Sequence, residues 1–447
     1  MPAPPALADL LSRTAKWPAA ALAAAVFAFL DVLDVLLCLV YNILDGFLEE
    51  SPVGCYCHRA YGTAAAAEGK DHIGVSDTLY LRRSACRDAL LRLLRTVGVG
   101  MRRKNNASPG KARSPRWSDC GCGACLAWRS AGGDRLHFVA QEPTPPPKDA
   151  SATRSDSDAE DDAIFMHGFT SSSSFWAQTV FPEMATANRR RLLAVDLLGF
   201  GDSPKPANCA YTLRDHVEAI ERSLIDPLHL RSFHLVSHSM GCTVAVALAA
   251  KHPARVKSIT LVAPPYLLPC EEKASQVALS RLAEKKLWPP LLFGSAVMSW
   301  YEHIGRTVCF VVCKNHRVWE WLIRVVTRTS GVDFLVRDLT RHTHHSAWHT
   351  MHNVICGGAG VQDRNLEVLA AAGVPVRVVH GDGDQVVPVE CSSRHLKSKL
   401  PRAELRIMGG RDHRTVVFGR AKEFAEELRA FWSACEKPRM DASVCAA

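Results

Sequence analysis

Acid is nearly missing from one stretch of this 447-residue chain. Residues 81 to 116 hold eleven Lys or Arg against the single acid Asp88, so that segment carries +10 of a formal +9 and the remainder is close to neutral. The basicity therefore belongs to one segment and to whatever it touches. Its arginines also lack interleaved aromatics, which argues against a nucleic-acid partner. Length is short too in the first apolar stretch: Pro18 to Leu30 stops at Asp31, the length of a signal-peptide core and too short to span a bilayer cleanly. Carboxylates and cysteines are absent from the histidine run His342, His344, His345, His349 and His352, which weakens a zinc reading and favours polar packing beneath a cap. No metal and no cofactor is expected.

What is present is enough apolar material for a large core, 47% of the residues. Residues 1–48 read as a cleaved signal or a retained membrane anchor. After Asp31 and Asp34 the apolar character resumes from Val35 to Tyr41, and as one helix the two acids share a side, awkward for a lipid-exposed span. Residues 49–133 form a basic, Cys-containing region. Within it 77 to 98 read as a basic amphipathic helix suited to an anionic membrane or to packing on the following domain. The cluster Cys120, Cys122 and Cys125 is read as disulfide or lipid-modified thiols, the alternative being three ligands of a metal site with no obvious fourth.

From residue 134 the pattern changes. Arg135 to Gln141 alternates as a strand would, and 142–162 is a Pro, Ser, Asp and Glu rich linker. Short apolar strands then alternate with helical stretches: Ala163 to Met166, Leu192 to Val195, Phe233 to Val236, Ser258 to Val262, Val376 to His380 and Leu405 to Met408. That alternation predicts a mostly parallel sheet with helices on both faces. The core occupies 134–265 and 374–436, with a tail at 437–447. Between the two parts, 266–373 lacks a convincing strand and holds five of the ten tryptophans. It reads as a helical cap, expected after the sixth strand, where ligands enter such sheets.

The chemistry centres on Ser237-His238-Ser239-Met240-Gly241, at a strand-to-helix corner. A nucleophilic serine at such a corner needs small neighbours, a base and an orienting acid, in the chain order serine, acid, histidine. Ser237 stands where Gly is usual. The strand ending at His380 leads into Gly381-Asp382-Gly383-Asp384, and the strand ending at Met408 leads into Gly409-Gly410-Arg411-Asp412-His413. Asp384 is chosen as the acid, with Asp382 the alternative, and His413 as the base. The oxyanion hole is assigned to the N–H groups of Met240 and Phe169, while Asp196 to Ser203 reads as a structural turn. The order predicts an α/β-hydrolase fold.

The chain resembles the plant BODYGUARD family of lysophospholipase-like α/β-hydrolases. The likeness runs through Arg116-Trp117-Ser118-Asp119-Cys120, Val195-Asp196-Leu197-Leu198-Gly199 and Thr260 to Tyr266. It continues in Trp288-Pro289-Pro290, Ser299-Trp300-Tyr301-Glu302-His303, His342-Thr343-His344 and the Cys55-Tyr56-Cys57 pair. The resemblance implies action in cuticle and cutin formation at the cell wall or plasma membrane, with lipid anchoring, for which Cys55 and Cys57 are the candidates. The expected function is a serine esterase on a lipidic ester. A transacylase using the same acyl-enzyme, or a non-catalytic lipid-binding module, are the alternatives.

Overall fold

The computed structural model describes residues 5–49, 74–81, 116–130, 135–144, 161–185, 189–268, 272–284 and 286–436. Cys55, Cys57, residues 82 to 98 of the basic helix expectation, most of the 142–162 linker and the 437–447 tail lie outside them.

Seven strands form one sheet: β1 (Phe138–Gln141), β2 (Asp162–Met166), β3 (Leu192–Val195), β4 (Phe233–His238), β5 (Val256–Val262), β6 (Val376–Gly381) and β7 (Glu404–Met408). They lie in the order β1-β3-β2-β4-β5-β6-β7, with β1 antiparallel to β3 and every other pair parallel. Side chains alternate along each strand and sort into two cores. Ile164, Met166, Leu193, Val195, Leu235, Ile259, Leu261 and Val378 enter one cluster. Ala163, Phe165, Leu192, Ala194, Val236, Val262 and Val379 enter the other, with Trp176, Phe181 and Trp432. Both faces must be covered because both are apolar.

The helices around the sheet include α1 (Pro5–Leu48), α2 (Gly123–Ser130), α3 (Leu213–Ile220) and α4 (Met240–Lys251), then α5 (Ala274–Leu282), α6 (Pro290–Trp300), α7 (Glu302–Val311), α8 (His316–Thr327), α9 (Phe334–Asp338), α10 (His344–Thr350) and α11 (Gln362–Ala372), and finally α12 (Ser393–Lys399) and α13 (Ala421–Glu436). Helices α5 to α11 all fall between β5 and β6. The insertion thus follows the fifth strand, not the sixth as expected, because a single antiparallel edge strand precedes β2 among the described residues. The consequence is positional: the insertion rises from the carboxyl end of the strand beside β4.

Helix α1 lies against α7. Asp31 and Asp34, the awkward acids, turn inward: Tyr301 Oη donates to Asp31 at 2.9 Å, and the His303 N–H and Nδ1 reach Asp34 at 2.9 and 3.2 Å. Further on, Asp45 takes both guanidinium nitrogens of Arg306 at 2.7 Å. Phe27, Val35, Cys38 and Tyr41 are buried on the same side. The opposite side of α1 keeps Leu22, Phe29, Val32, Leu36, Val40, Ile43 and Phe47 exposed, at helical spacing.

Candidate active site

Strand β4 ends at His238 and α4 begins at Met240, leaving Ser239 alone on the corner with φ 50° and ψ −126°. A non-glycine residue in that region is strained, and the strain lifts the serine hydroxyl out of the sheet. Close packing forces the corner. A Cβ on Gly241 would meet the His167 carbonyl oxygen at 2.6 Å, so no side chain fits there. Ser237 is tolerated at the other small position: its hydroxyl is buried and reaches the Thr260 carbonyl at 3.4 Å.

Three loops bring the partners. His413 Nε2 stands 2.9 Å from Ser239 Oγ, and His413 Nδ1 stands 2.7 Å from Asp384 Oδ2. A carboxylate only accepts, so Nδ1 carries the proton toward Asp384 and the bare Nε2 accepts from the serine hydroxyl. That tautomer is the one a general base requires. Asp384 is buried, and burial works to raise its pKa. Hydrogen bonds from His380 and His413 and the Val387 N–H overcome that and hold the carboxyl well below the usual range. The alternative acid does something else: Asp382 Oδ1 accepts from the Gly410 N–H at 2.7 Å, tying the acid loop to the histidine loop.

The residues assigned to the oxyanion hole lie on two different elements. Met240 is the first residue of α4, where an N–H has no intrahelical acceptor. Phe169 follows β2 on a loop fixed by His167, whose Nδ1 donates to the Gly168 carbonyl at 2.7 Å while Nε2 accepts from the Leu197 N–H at 2.9 Å. Full burial lowers the pKa of His167, which keeps both roles in place. The Phe169 ring packs edge-on against Phe200 at 5.6 Å.

Asp196 serves the turn assigned to it. Buried, it accepts from the Ser173 and Asp202 N–H groups at 2.5 and 2.8 Å and from His137 at 2.9 Å. Burial opposes its charge, but these donors bring its pKa down to about 2. The helical histidines are also polar packing: His345 and His349 meet the carbonyls of Cys209 and Ala210 at 2.9 and 3.1 Å, and His352 meets Thr78 Oγ1 at 3.1 Å.

Two site residues escaped the sequence reading. His238 Nε2 donates to the main-chain oxygen of His413 at 2.8 Å while its ring stacks on Phe175 at 4.7 Å. His380 Nε2 bridges Asp384 Oδ2 at 3.1 Å and the Val387 carbonyl at 2.9 Å, and its Nδ1 meets Ser393 Oγ at 2.6 Å. Their only signal was a histidine at the end of β4 and one residue before the end of β6.

Residues 164–285 match the family model described as alpha/beta hydrolase fold. The chain is 48% identical over 421 residues to Probable lysophospholipase BODYGUARD 4 of Arabidopsis thaliana, covering 93% of this chain and 97% of that one. It is 38% identical over 463 residues to Probable lysophospholipase BODYGUARD 1 of the same plant, covering 93% and 96%. Among solved structures, a carboxylesterase from the thaumarchaeon Nitrososphaera gargenis aligns with 67% of this chain and 94% of its own at 16% identity and a TM-score of 0.43. At 48% and 38% identity over nearly the whole of both chains, this protein belongs to the BODYGUARD family of α/β hydrolases.

Proposed function

We propose that this protein is a serine esterase that cleaves a lipid ester of the lysophospholipid or cutin-related class. The observation that carries the reading is the unbroken chain of hydrogen bonds from Ser239 through His413 to Asp384 at the strand ends beneath the helical insertion. Ser239 Oγ attacks the acyl carbonyl as His413 Nε2 takes its proton. Asp384 stabilises the imidazolium, and the Met240 and Phe169 N–H groups receive the oxyanion. His413 returns the proton to the leaving alcohol, and water then frees the acid from Ser239 by the same route reversed.

A lipidic substrate is supported by the apolar exterior around the insertion. Besides the stripe on α1, helix α8 exposes Val318, Trp321, Val325 and Val326. Such faces favour seating on a membrane or wax surface. Helix α1 is long and apolar enough to cross a bilayer. Its pairing with Tyr301, His303 and Arg306 along its length would drag the insertion into the hydrocarbon, so the helix lies along the surface instead. In this reading the protein acts at the plant cell surface in cuticle formation, as its BODYGUARD kinship suggests, after passage through the secretory route. Labelling by a fluorophosphonate, lost in Ser239→Ala, tests the nucleophile. Release of fatty acid from lysophosphatidylcholine, compared with a hydroxy-fatty-acid ester, tests the substrate. A wild type that neither labels nor hydrolyses either ester while still binding vesicles refutes catalysis.

A further inference from the structure

Cysteines 120, 122 and 125 lacked a fourth metal ligand in the sequence, and the fold brings one from almost two hundred residues away. His316, the first residue of α8, points Nε2 at Cys122 Sγ (3.5 Å) and Cys125 Sγ (3.7 Å). The three sulfurs and this nitrogen all lie within 4.8 Å of one another. A tetrahedral zinc with Zn–S near 2.3 Å and Zn–N near 2.0 Å separates a sulfur from a nitrogen by about 3.5 Å, so the observed spacings match the edges of such a tetrahedron.

Two further features belong to a built site. His316 Nδ1 is bonded to Glu320 Oε1 at 3.1 Å, one helical turn on. The carboxylate fixes the tautomer that leaves Nε2 bare, an arrangement typical of zinc-bound histidines. The Cys122 N–H donates to Cys120 Sγ at 3.4 Å, which steadies a sulfur as thiolate. The loop is also placed by packing that owes nothing to the cysteines. Trp117 Nε1 donates to Asp45 at 2.7 Å, its ring meets Phe310 edge-on at 5.3 Å, and its carbonyl accepts from Lys314 at 2.6 Å. The four ligands therefore converge because the surrounding chain holds them there. A disulfide would use two of the three sulfurs and leave the third, and the aimed imidazole, unexplained.

We propose that Cys120, Cys122, Cys125 and His316 bind one structural zinc ion. Three thiolates and one imidazole suit zinc, and four protein ligands close the shell, so the ion cross-links and does not catalyse. What it joins is specific: the segment that precedes the sheet is stapled to α8 in the insertion between β5 and β6. Cys309, Cys313 and His342 form another group, with three ligands among the described residues, so metal must be assigned by site and not by total content.

Differential alkylation of the full-length wild-type protein, followed by peptide mapping, decides this without any variant. Zinc predicts that Cys120, Cys122 and Cys125 resist alkylation as purified and become reactive together after chelation, without reductant. Alkylation before chelation, or protection that only a reductant or hydroxylamine removes, would overturn the proposal in favour of free, disulfide-bonded or acylated thiols. As a check by metal analysis, Cys122→Ser should lose one equivalent of zinc relative to wild type, and His316→Cys should keep it. An unchanged zinc content in Cys122→Ser would count against the site.

Discussion

His238 and His413 are joined through the backbone: the Nε2–H of the first donates to the main-chain oxygen of the second across 2.8 Å. The residue preceding Ser239 thus holds the loop that carries His413. Burial, reinforced by the neighbouring His413, lowers the pKa of His238 to about 3, so the ring stays neutral at working pH with its proton on Nε2. His238→Leu removes the donor and keeps the bulk. A loop displaced by about 1 Å costs on the order of 10²-fold in rate, so kcat should fall by about that factor with KM little changed. His238→Gln, which can still donate, should recover part of it. Equal loss in both variants, or a loss confined to KM, would reject a positioning role.

The two acids of the Asp382-Gly383-Asp384 turn are separable by rate. Asp384→Asn should lower kcat by about 10³- to 10⁴-fold, because an amide can donate to Nδ1 and so invite the wrong imidazole tautomer. Asp382→Asn keeps an acceptor for the Gly410 N–H and should leave kcat within about threefold of wild type, the bond at stake being worth about 1 kcal/mol. Steady-state kinetics on any cleaved ester checks both. Comparable losses would mean that the acid has been misassigned.

The sheet was legible in the sequence because buried parallel strands are short apolar runs, and β2 to β6 fall close to where those runs lie. The residues at the corner and the two late loops were legible because chain order constrains them. The histidines behind them were not. His238 and His380 sit in apolar strands where a histidine carries no pattern, and only the fold shows that each points at a neighbouring loop. Asp31 and Asp34 misled for a related reason: periodicity shows which acids share a side of α1 but not that Tyr301 and α7 lie against that side. His316 was invisible as a partner of Cys122 because about 190 residues separate them.

Several histidines buried in the neutral state should make the protein acid-labile. His216 and His349 are buried, and burial lowers both pKa values to about 4. The unfolded chain takes up protons below about 6.5 while the folded chain does not, so their contribution to stability is complete above pH 6.5 and is lost as pH falls toward 4. Each group contributes about 3 kcal/mol to that slope. Urea unfolding midpoints should drop between pH 6.5 and 4, and His216→Phe should flatten the profile by roughly one group's share. A stability flat across that window would refute the neutral burial of these rings.

The docking of α1 rests on Arg306. Its guanidinium makes two 2.7 Å bonds to Asp45, one of 3.2 Å to Ser118 Oγ, and lies 4.3 Å over the Tyr41 ring. Next to it on α7, burial opposes the charge of His303, but Glu302 and Asp34 raise its pKa to about 10, so it too presents a cation to α1 at neutral pH. Removing one partner of a buried ion pair strands the other and costs about 3 to 5 kcal/mol, far more than the pair contributes relative to apolar groups of the same shape. Arg306→Met should therefore release α1 from the insertion, seen as faster amide exchange in residues 27 to 45 and in α7. Adding Asp45→Leu removes the stranded carboxylate and should restore most of the protection. If Arg306→Met leaves exchange in both helices unchanged, α1 is held by its apolar contacts alone. If the double variant is no better protected than the single one, the loss comes from the Tyr41 and Ser118 contacts and not from the uncompensated charge.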